Sequence, residues 1–310
     1  MDILSAFDTP SRVFLWLDRI KRSGYTAFLL ARAHKLNRYD IVLFTEPLYP
    51  HNLALLRYLK RRIKPEIVLY TNMPSIVNNL YYAPINTKFP ALISAEITRP
   101  FAEKIASRVK LLSPGVDVRK LRPMDRDKKW DFLYIGHLYK EKGVLLLLQA
   151  MKLLREKRPS LRLKIIHTSS SEENSYREYI SDNRLDNVDI ERAIINDHTS
   201  TYNSTRVFVY PGIAYGRVAA TPLTIIEASA CGLPVVTTTL YRHINLPNIT
   251  FAETDPESLA DAMFRVIDGW NLEKQGQTLS AIHRDWSLES MGGSSEAFFT
   301  EVINGCKKTG

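Results

Sequence analysis

Residues 131–154 read DFLYIGHLYKEKGVLLLLQAMKLL, and this stretch decides the fold. Phe132 to Ile135 form an apolar run of strand length that ends on Gly136. A loop carrying Lys140 and Lys142 follows, then Gly143, then a strongly apolar segment that reads as a helix over 144–157. A buried strand passing at once into a buried helix is a βα unit. Repeated βα units build parallel sheets flanked by crossover helices.

The alternation continues on both sides. Downstream, strands are expected at Leu161 to Ile166, Val188 to Glu191, Val207 to Tyr210 and Val235 to Thr238. Helices are expected at Glu173 to Asn183, Leu223 to Ala230 and Asp255 to Asp268, the last with Pro256 in its first turn, and a helical turn at His198 to Asn203. Upstream, Ile41 to Phe44, Glu66 to Tyr70, Ala91 to Ser94 and Val109 to Leu112 read as strands, with helices near 52–63 and 100–106. Ser113-Pro114-Gly115 punctuates the chain, and the polar, basic segment Arg119 to Lys129 reads as an inter-domain linker. The tail, Leu288 to Asn304, looks helical apart from Gly292-Gly293. The expected fold class is α/β, with two Rossmann-like domains over 1–118 and 119–286. Residues 287–310 are expected to form a C-terminal helix, for which a return to the first domain is one course open to it.

Composition narrows the field. The chain has 310 residues, 45% hydrophobic and 24% charged, which excludes wholesale disorder, collagen and coiled coil. Two cysteines, Cys231 and Cys306, make no disulfide scaffold and fit a reducing compartment. Apolar runs fall far short of the roughly 18 residues that span a bilayer. Met1-Asp2-Ile3-Leu4 does not begin a secretory signal. A cytoplasmic location is expected.

The net charge of +9 is uneven. Residues 1–120 hold 19 Lys and Arg against 9 Asp and Glu, and the rest hold 23 against 24. Arg19 to Arg38 and Arg57 to Lys64 alternate basic residues with Leu, Ile, Tyr and Phe. Such stretches are either amphipathic helices with solvated faces or a basic, partly apolar surface. The second reading predicts contact with anionic lipid at the inner face of a membrane, or with a phosphate-bearing acceptor. A nucleic-acid-binding Rossmann protein is a third reading, but zinc-finger spacing and RNA-binding signatures are missing, so no nucleic-acid partner is expected.

The motifs that carry chemistry are local. G-x-G-x-x-G, the P-loop, G-x-S-x-G and His/Cys clusters at metal-ligand spacing are absent, so no metal and no resident cofactor are expected. Instead a strand ends at Tyr210-Pro211, and a helix starts near Pro222 with Leu223 and Thr224 at its first turn and Glu227 just inside. A helix start offers free N–H groups and a positive dipole end, which suit a diphosphate. A carboxylate there can accept hydrogen bonds from ribose hydroxyls, although a helix-start Glu is often only a surface residue. Lys142 can neutralise a departing diphosphate and His137 can donate a hydrogen bond to it, although a loop Lys is commonly just solvated.

Taken together, VKLLSPGVDVRK (109–120), residues 131–154 and residues 207–236 resemble the retaining, nucleotide-sugar-dependent glycosyltransferases of family four. DPESLADAMFRVI and HRDWSLESM resemble that family's C-terminal segments. The resemblance implies a GT-B fold, with two Rossmann-like domains whose parallel sheets face across a cleft. It also implies a hexosyltransferase that takes a UDP- or GDP-linked sugar. By position, Glu227 matches the ribose-binding Glu. Leu223 and Thr224 match the residues whose amides hold the diphosphate, Gly136 the strand-end glycine, and Lys142 the basic residue on the leaving phosphate. The first Glu of the family's pair is replaced by Ala219, and the Arg after the glycine by His137. Arg217 stands two residues before Ala219 and is a candidate to compensate. The family's N-terminal Gly-rich loop is replaced by residues Phe7 to Arg12, and a histidine by Asn72. The implied catalytic set is Lys142, His137 and Glu227. The implied donor-binding set is Gly136, Leu223, Thr224, Glu227 and Arg217. Because of Ala219 and His137, a degenerate protein that binds a nucleotide sugar without transferring it is the alternative.

Overall fold

The computed structural model describes residues 13–16, 33–45, 56–71, 88–168, 172–214, 221–269 and 271–307. The chain divides into two units, one of Met1–Ser113 with Glu289–Gly310, the other of Pro114–Leu288.

The first unit carries a parallel sheet of strands β1 (Val13–Trp16), β2 (Ile41–Thr45), β3 (Glu66–Thr71), β4 (Phe89–Ile93) and β5 (Ala106–Leu111), in that order across the sheet. Helix α1 (Arg99–Ile105) joins β4 to β5. Strand side chains alternate between faces. Val42, Phe44, Ile67, Leu69, Ala91 and Ile93 therefore pack on one side with Leu56, Leu59 and Ala102. Ile41, Val68 and Leu92 pack on the other with Phe298, Phe299 and Val302. Those last three belong to the C-terminal helix, which runs over Leu288–Lys307, so the end of the chain covers one face of the first sheet.

The second unit has a six-stranded parallel sheet. Its strands are β6 (Trp130–Ile135), β7 (Leu163–His167), β8 (Val188–Arg192), β9 (Thr205–Tyr210), β10 (Val235–Thr238) and β11 (Ile249–Ala252). Helices α2 (Val144–Lys157), α3 (Glu173–Asp182), α4 (His198–Asn203), α5 (Leu223–Ala230), α6 (Pro256–Asp268) and α7 (Leu272–Asp285) follow in chain order, and the C-terminal helix is α8. Helix α2 buries Val144, Leu147, Ala150, Met151 and Leu154, spaced to line one face. Asp255 caps α6 by accepting from Ser258 N at 2.8 Å, with Pro256 at the first position, as the sequence implies.

The strand order is β11-β10-β9-β6-β7-β8. From β6 the chain builds outward through β7 and β8, then returns to the other side of β6 and builds outward through β9, β10 and β11. The order reverses between β6 and β9. In such sheets a crevice opens at the carboxyl ends of the two strands where winding reverses, and ligands bind there.

Arg119 to Lys129 is not a free linker but belongs to the second unit. Met124 N donates to Asn203 Oδ1 at 2.7 Å, Asn203 Nδ2 donates to Arg122 O at 2.9 Å, and Lys129 N donates to Ser204 O at 2.8 Å. A polar composition satisfied by fixed partners looks the same in sequence as one satisfied by water. The two segments that join the units run side by side, with Val116 N donating to Trp286 O at 2.8 Å and Leu288 N to Val116 O at 3.0 Å.

Candidate functional site

Of the sequence-derived residues, Gly136, His137 and Lys142 follow β6, and Leu223, Thr224 and Glu227 lie on the helix that follows β9, the two strands at the reversal point. Strand β6 ends at Ile135, and Gly136 N extends the ladder by donating to Ile166 O at 3.1 Å. His137 is exposed, its Nδ1 lies 3.3 Å from Thr168 Oγ1, and its ring stacks on Tyr139 with centroids 5.3 Å apart. A single 3-10 turn, Lys140–Lys142, then leads into Gly143 at φ 72°, which caps the turn and opens α2.

Lys142 is half-buried, and its Nζ donates to Tyr210 Oη at 2.7 Å, lying 5.2 Å from the centre of that ring. Tyr210 is the last residue of β9, so this bond spans the reversal point. Burial pushes the Lys142 amine down to about 8, and neighbouring Glu141 partly opposes that shift. The loops after β6 and β9 also join through their backbones. Ile213 N donates to Glu141 O at 2.9 Å, and Gly143 lies so close that a Cβ there would sit 1.9 Å from Pro211 O. Thr237 Oγ1 donates to Tyr210 O, and Thr238 Oγ1 to Gly212 O, fixing the second loop from β10.

Arg217 and Ala219 lie outside the described residues, as do Asn72 and Phe7 to Arg12. Past that gap, Pro222 precedes α5 without a side-chain cap. Ile225 N donates to Pro222 O at 3.1 Å. The N–H groups of Leu223 and Thr224 have no acceptor among the described residues. Leu223 is 46% exposed and Thr224 half-buried.

Glu227 lies one turn further along α5, about 6 Å along its axis. Its Oε2 accepts from Tyr202 Oη at 2.7 Å and lies 3.8 Å from His198 Nδ1. Both partners stand on α4, whose N-cap Asp197 accepts from Ser200 N at 2.9 Å. Tyr202 is fully buried, and burial together with Glu227 holds its hydroxyl far above the usual phenol range. Glu227 opens onto a cavity of about 500 Å³ lined also by Arg119, Lys120, Arg122, Asp197 and His198. Gly136, His137 and Lys142 thus lie on one loop, with Lys142 bonded to Tyr210, while Glu227 stands with Tyr202 and His198. Tyr202, His198 and Tyr210 emerge only from the structure. Their one signal in the sequence is a tyrosine ending a buried strand and an aromatic on a short helix. Among the described residues, His, Cys, Asp and Glu side chains form no group of three or more able to hold a metal ion.

Residues 129–269 match the family model described as glycosyl transferases group 1. That match lies wholly within the second unit. The sequence is 30% identical over 148 residues to the D-inositol 3-phosphate glycosyltransferase of Pseudarthrobacter chlorophenolicus, covering 42% of this chain and 34% of that protein. The chain therefore spans about a third of that relative. Among solved structures, sucrose-phosphate synthase from Thermosynechococcus elongatus is similar at TM-score 0.71 and 14% identity, over 91% of this chain and 78% of the other. Anabaena HepE in complex with UDP and glucose is similar at TM-score 0.69 and 14% identity, over 89% and 81%. At these identities the likeness speaks for the fold, which is GT-B, as the sequence implies. The matched span contains Gly136, His137, Lys142, Leu223, Thr224 and Glu227.

Proposed function

We propose that the chain is a retaining, nucleotide-sugar-dependent hexosyltransferase whose donor binds at the carboxyl ends of β6 and β9. What supports the reading is Lys142, bonded to Tyr210 at the carboxyl end of β9, together with the start of α5 in the connection that follows that strand. In glycosyl transfer the bond from the sugar's anomeric carbon to the diphosphate oxygen breaks, and its electron pair leaves with the diphosphate. Positive groups fixed where that charge grows stabilise the transition state more than the ground state. The amides of Leu223 and Thr224 and the ammonium of Lys142 are such groups. His137, exposed on the same loop, is a hydrogen-bond donor to the same phosphates. Glu227 has Oε2 engaged by Tyr202 and retains Oε1 for a ribose hydroxyl. UDP bound to the HepE relative favours a uridine donor, with guanosine the alternative. On this account amides and a lysine, rather than a metal, neutralise the diphosphate, so chelators leave turnover unchanged.

The acceptor belongs with the basic first unit. Within 57–64, Lys60 is held by Glu66 at 2.5 Å, while Arg62 covers the 42%-exposed Tyr58. Arg61, Arg62 and Lys64 therefore supply the charge for an anionic acceptor or a cytoplasmic membrane face. No helix among the described residues is long and apolar enough to cross a membrane.

The test is thermal denaturation with UDP, GDP and ADP. A nucleotide at a hundred times its Kd stabilises the folded state by about 2.7 kcal/mol. One of the three raises the midpoint, and Glu227→Ala removes most of the gain. No shift with any of them contradicts the reading. Binding without sugar release over a broad donor and acceptor panel favours the degenerate protein, the reading that Ala219 supports.

A further inference from the structure

Three tyrosines lie beneath the proposed donor site, on three successive elements of the sheet. Tyr134 on β6, Tyr210 on β9 and Tyr241, in the turn after β10, are each at most 1% exposed. The rings of Tyr134 and Tyr210 stack at 6.2 Å, and Tyr241 meets Tyr210 edge-on at 5.4 Å. Each hydroxyl reaches a different part of the site. Tyr134 Oη donates to His137 O at 2.8 Å and sits where a Cβ on Gly136 would meet it at 2.7 Å. Tyr241 Oη lies 2.5 Å from the place of a Cβ on Gly212. Tyr210 Oη accepts from Lys142 Nζ.

A phenol hydroxyl carried into a sheet core is costly unless it is hydrogen-bonded, and a phenylalanine would fill the same space without that demand. The hydroxyl of Tyr210 is engaged by the ammonium of Lys142. Among the described residues no carboxylate lies within ion-pair distance of Lys142. The groups facing it are the neutral phenol of Tyr210 on β9, with Tyr134 and Tyr241 behind that ring, and Glu141 on its own loop. A carboxylate partner would fix the ammonium but cancel its charge. A phenol fixes it and leaves the charge whole.

We infer that Tyr210 is a positioning residue, whose hydroxyl holds the Lys142 ammonium at the carboxyl end of β9 for delivery, un-neutralised, to the diphosphate of the donor. The inference rests on the donor reading above and adds a residue that the family resemblance does not supply. Holding the ammonium in place before the donor arrives removes the cost of ordering a flexible side chain at that moment.

The test compares wild type, Tyr210→Phe, Lys142→Met and the double variant by isothermal titration with UDP and GDP. In parallel, competitive acetylation of Lys142 is followed by mass spectrometry from pH 6.5 to 10.5. Tyr210→Phe keeps the ring and the far-ultraviolet circular dichroism. It weakens binding of the preferred nucleotide roughly tenfold, the usual effect of losing a hydrogen bond to a charged group. It also lowers the acetylation midpoint of Lys142 further, because the charged amine loses its acceptor. In the Lys142→Met background the same change has no further effect, since Tyr210 acts through that amine. The inference is overturned by wild-type affinity in Tyr210→Phe, by an unmoved acetylation midpoint, or by an equal loss in both backgrounds. A wild type that binds neither UDP nor GDP overturns the donor reading itself and the inference with it. That outcome is visible in the wild-type titration alone.

Discussion

Replacing Gly143 by alanine should separate the two loops on which the site is built. The residue sits at φ 72°, a conformation that costs an L-residue about 1–2 kcal/mol. The added methyl would lie 1.9 Å from Pro211 O and 3.1 Å from Ile213 Cγ2, so the β9 loop must retreat by about 1 Å. That retreat breaks the bond from Ile213 N to Glu141 O, worth about 1 kcal/mol net. Together these give a loss of about 2–3 kcal/mol in urea denaturation. The binding consequence is larger in kind, because Lys142 and Tyr210 flank the clash on opposite loops. A misplacement of about 1 Å in a preorganised site costs roughly ten- to a hundredfold, read as UDP or GDP affinity by calorimetry. Gly276→Ala is the matched control. Its Cβ meets nothing within 4 Å, and it lies inside α7, so alanine should stabilise by about 0.5–1 kcal/mol and leave binding intact. Wild-type stability and affinity in Gly143→Ala would refute the claim that the two loops are coupled.

Other outcomes follow from the same coordinates. Lys142, with its folded pKa pushed down to about 8, loses charge as pH rises through that value, so nucleotide affinity should fall between pH 7 and pH 9, and Lys142→Met should remove that dependence. The sign for stability is opposite. Between about 8 and the ordinary lysine pKa the unfolded chain holds the extra proton, so Lys142 adds stability as pH rises, and Lys142→Met flattens that part of the denaturation profile. Phe298→Ala should cost about 3–5 kcal/mol, because Phe298 is 3% exposed against Ile41, Val68 and Leu92, and an unchanged urea midpoint would deny α8 its place on the first sheet. Sedimentation with anionic vesicles should be lost when Arg61, Arg62 and Lys64 are neutralised together, and equal sedimentation would remove that patch from the account.

What the sequence made legible was the part of the fold written in runs of apolar residues. Strand β6 and helix α2 stand out because Phe132 to Ile135 are all buried and the apolar run from Val144 to Leu154 buries seven residues. Strand β11 gives no such signal, since Ile249, Thr250 and Phe251 are only half-buried at a sheet edge. Helix α7 is equally silent. Its residues LEKQGQTLSAIHRD bury only Thr278 and Ile282 and carry a glycine in mid-helix. The site shows the same division. Lys142, Leu223, Thr224 and Glu227 could be named because each stands at a strand end or helix start, where local chemistry suggests a role. Tyr210 and Tyr202 could not be paired with their partners. Lys142 and Tyr210 are 68 residues apart, and Tyr202 and Glu227 are 25 apart. Only the return of β9 to the other side of β6 brings the first pair together, and strand order is not written in any local pattern.

The most direct test of the donor site is release of nucleoside diphosphate from UDP- and GDP-linked hexoses, compared between wild type and Lys142→Met. The account predicts release from at least one donor, slowed roughly a hundredfold or more by the substitution, as for loss of a charge-stabilising group. Release from a donor at the same rate in both proteins would contradict it.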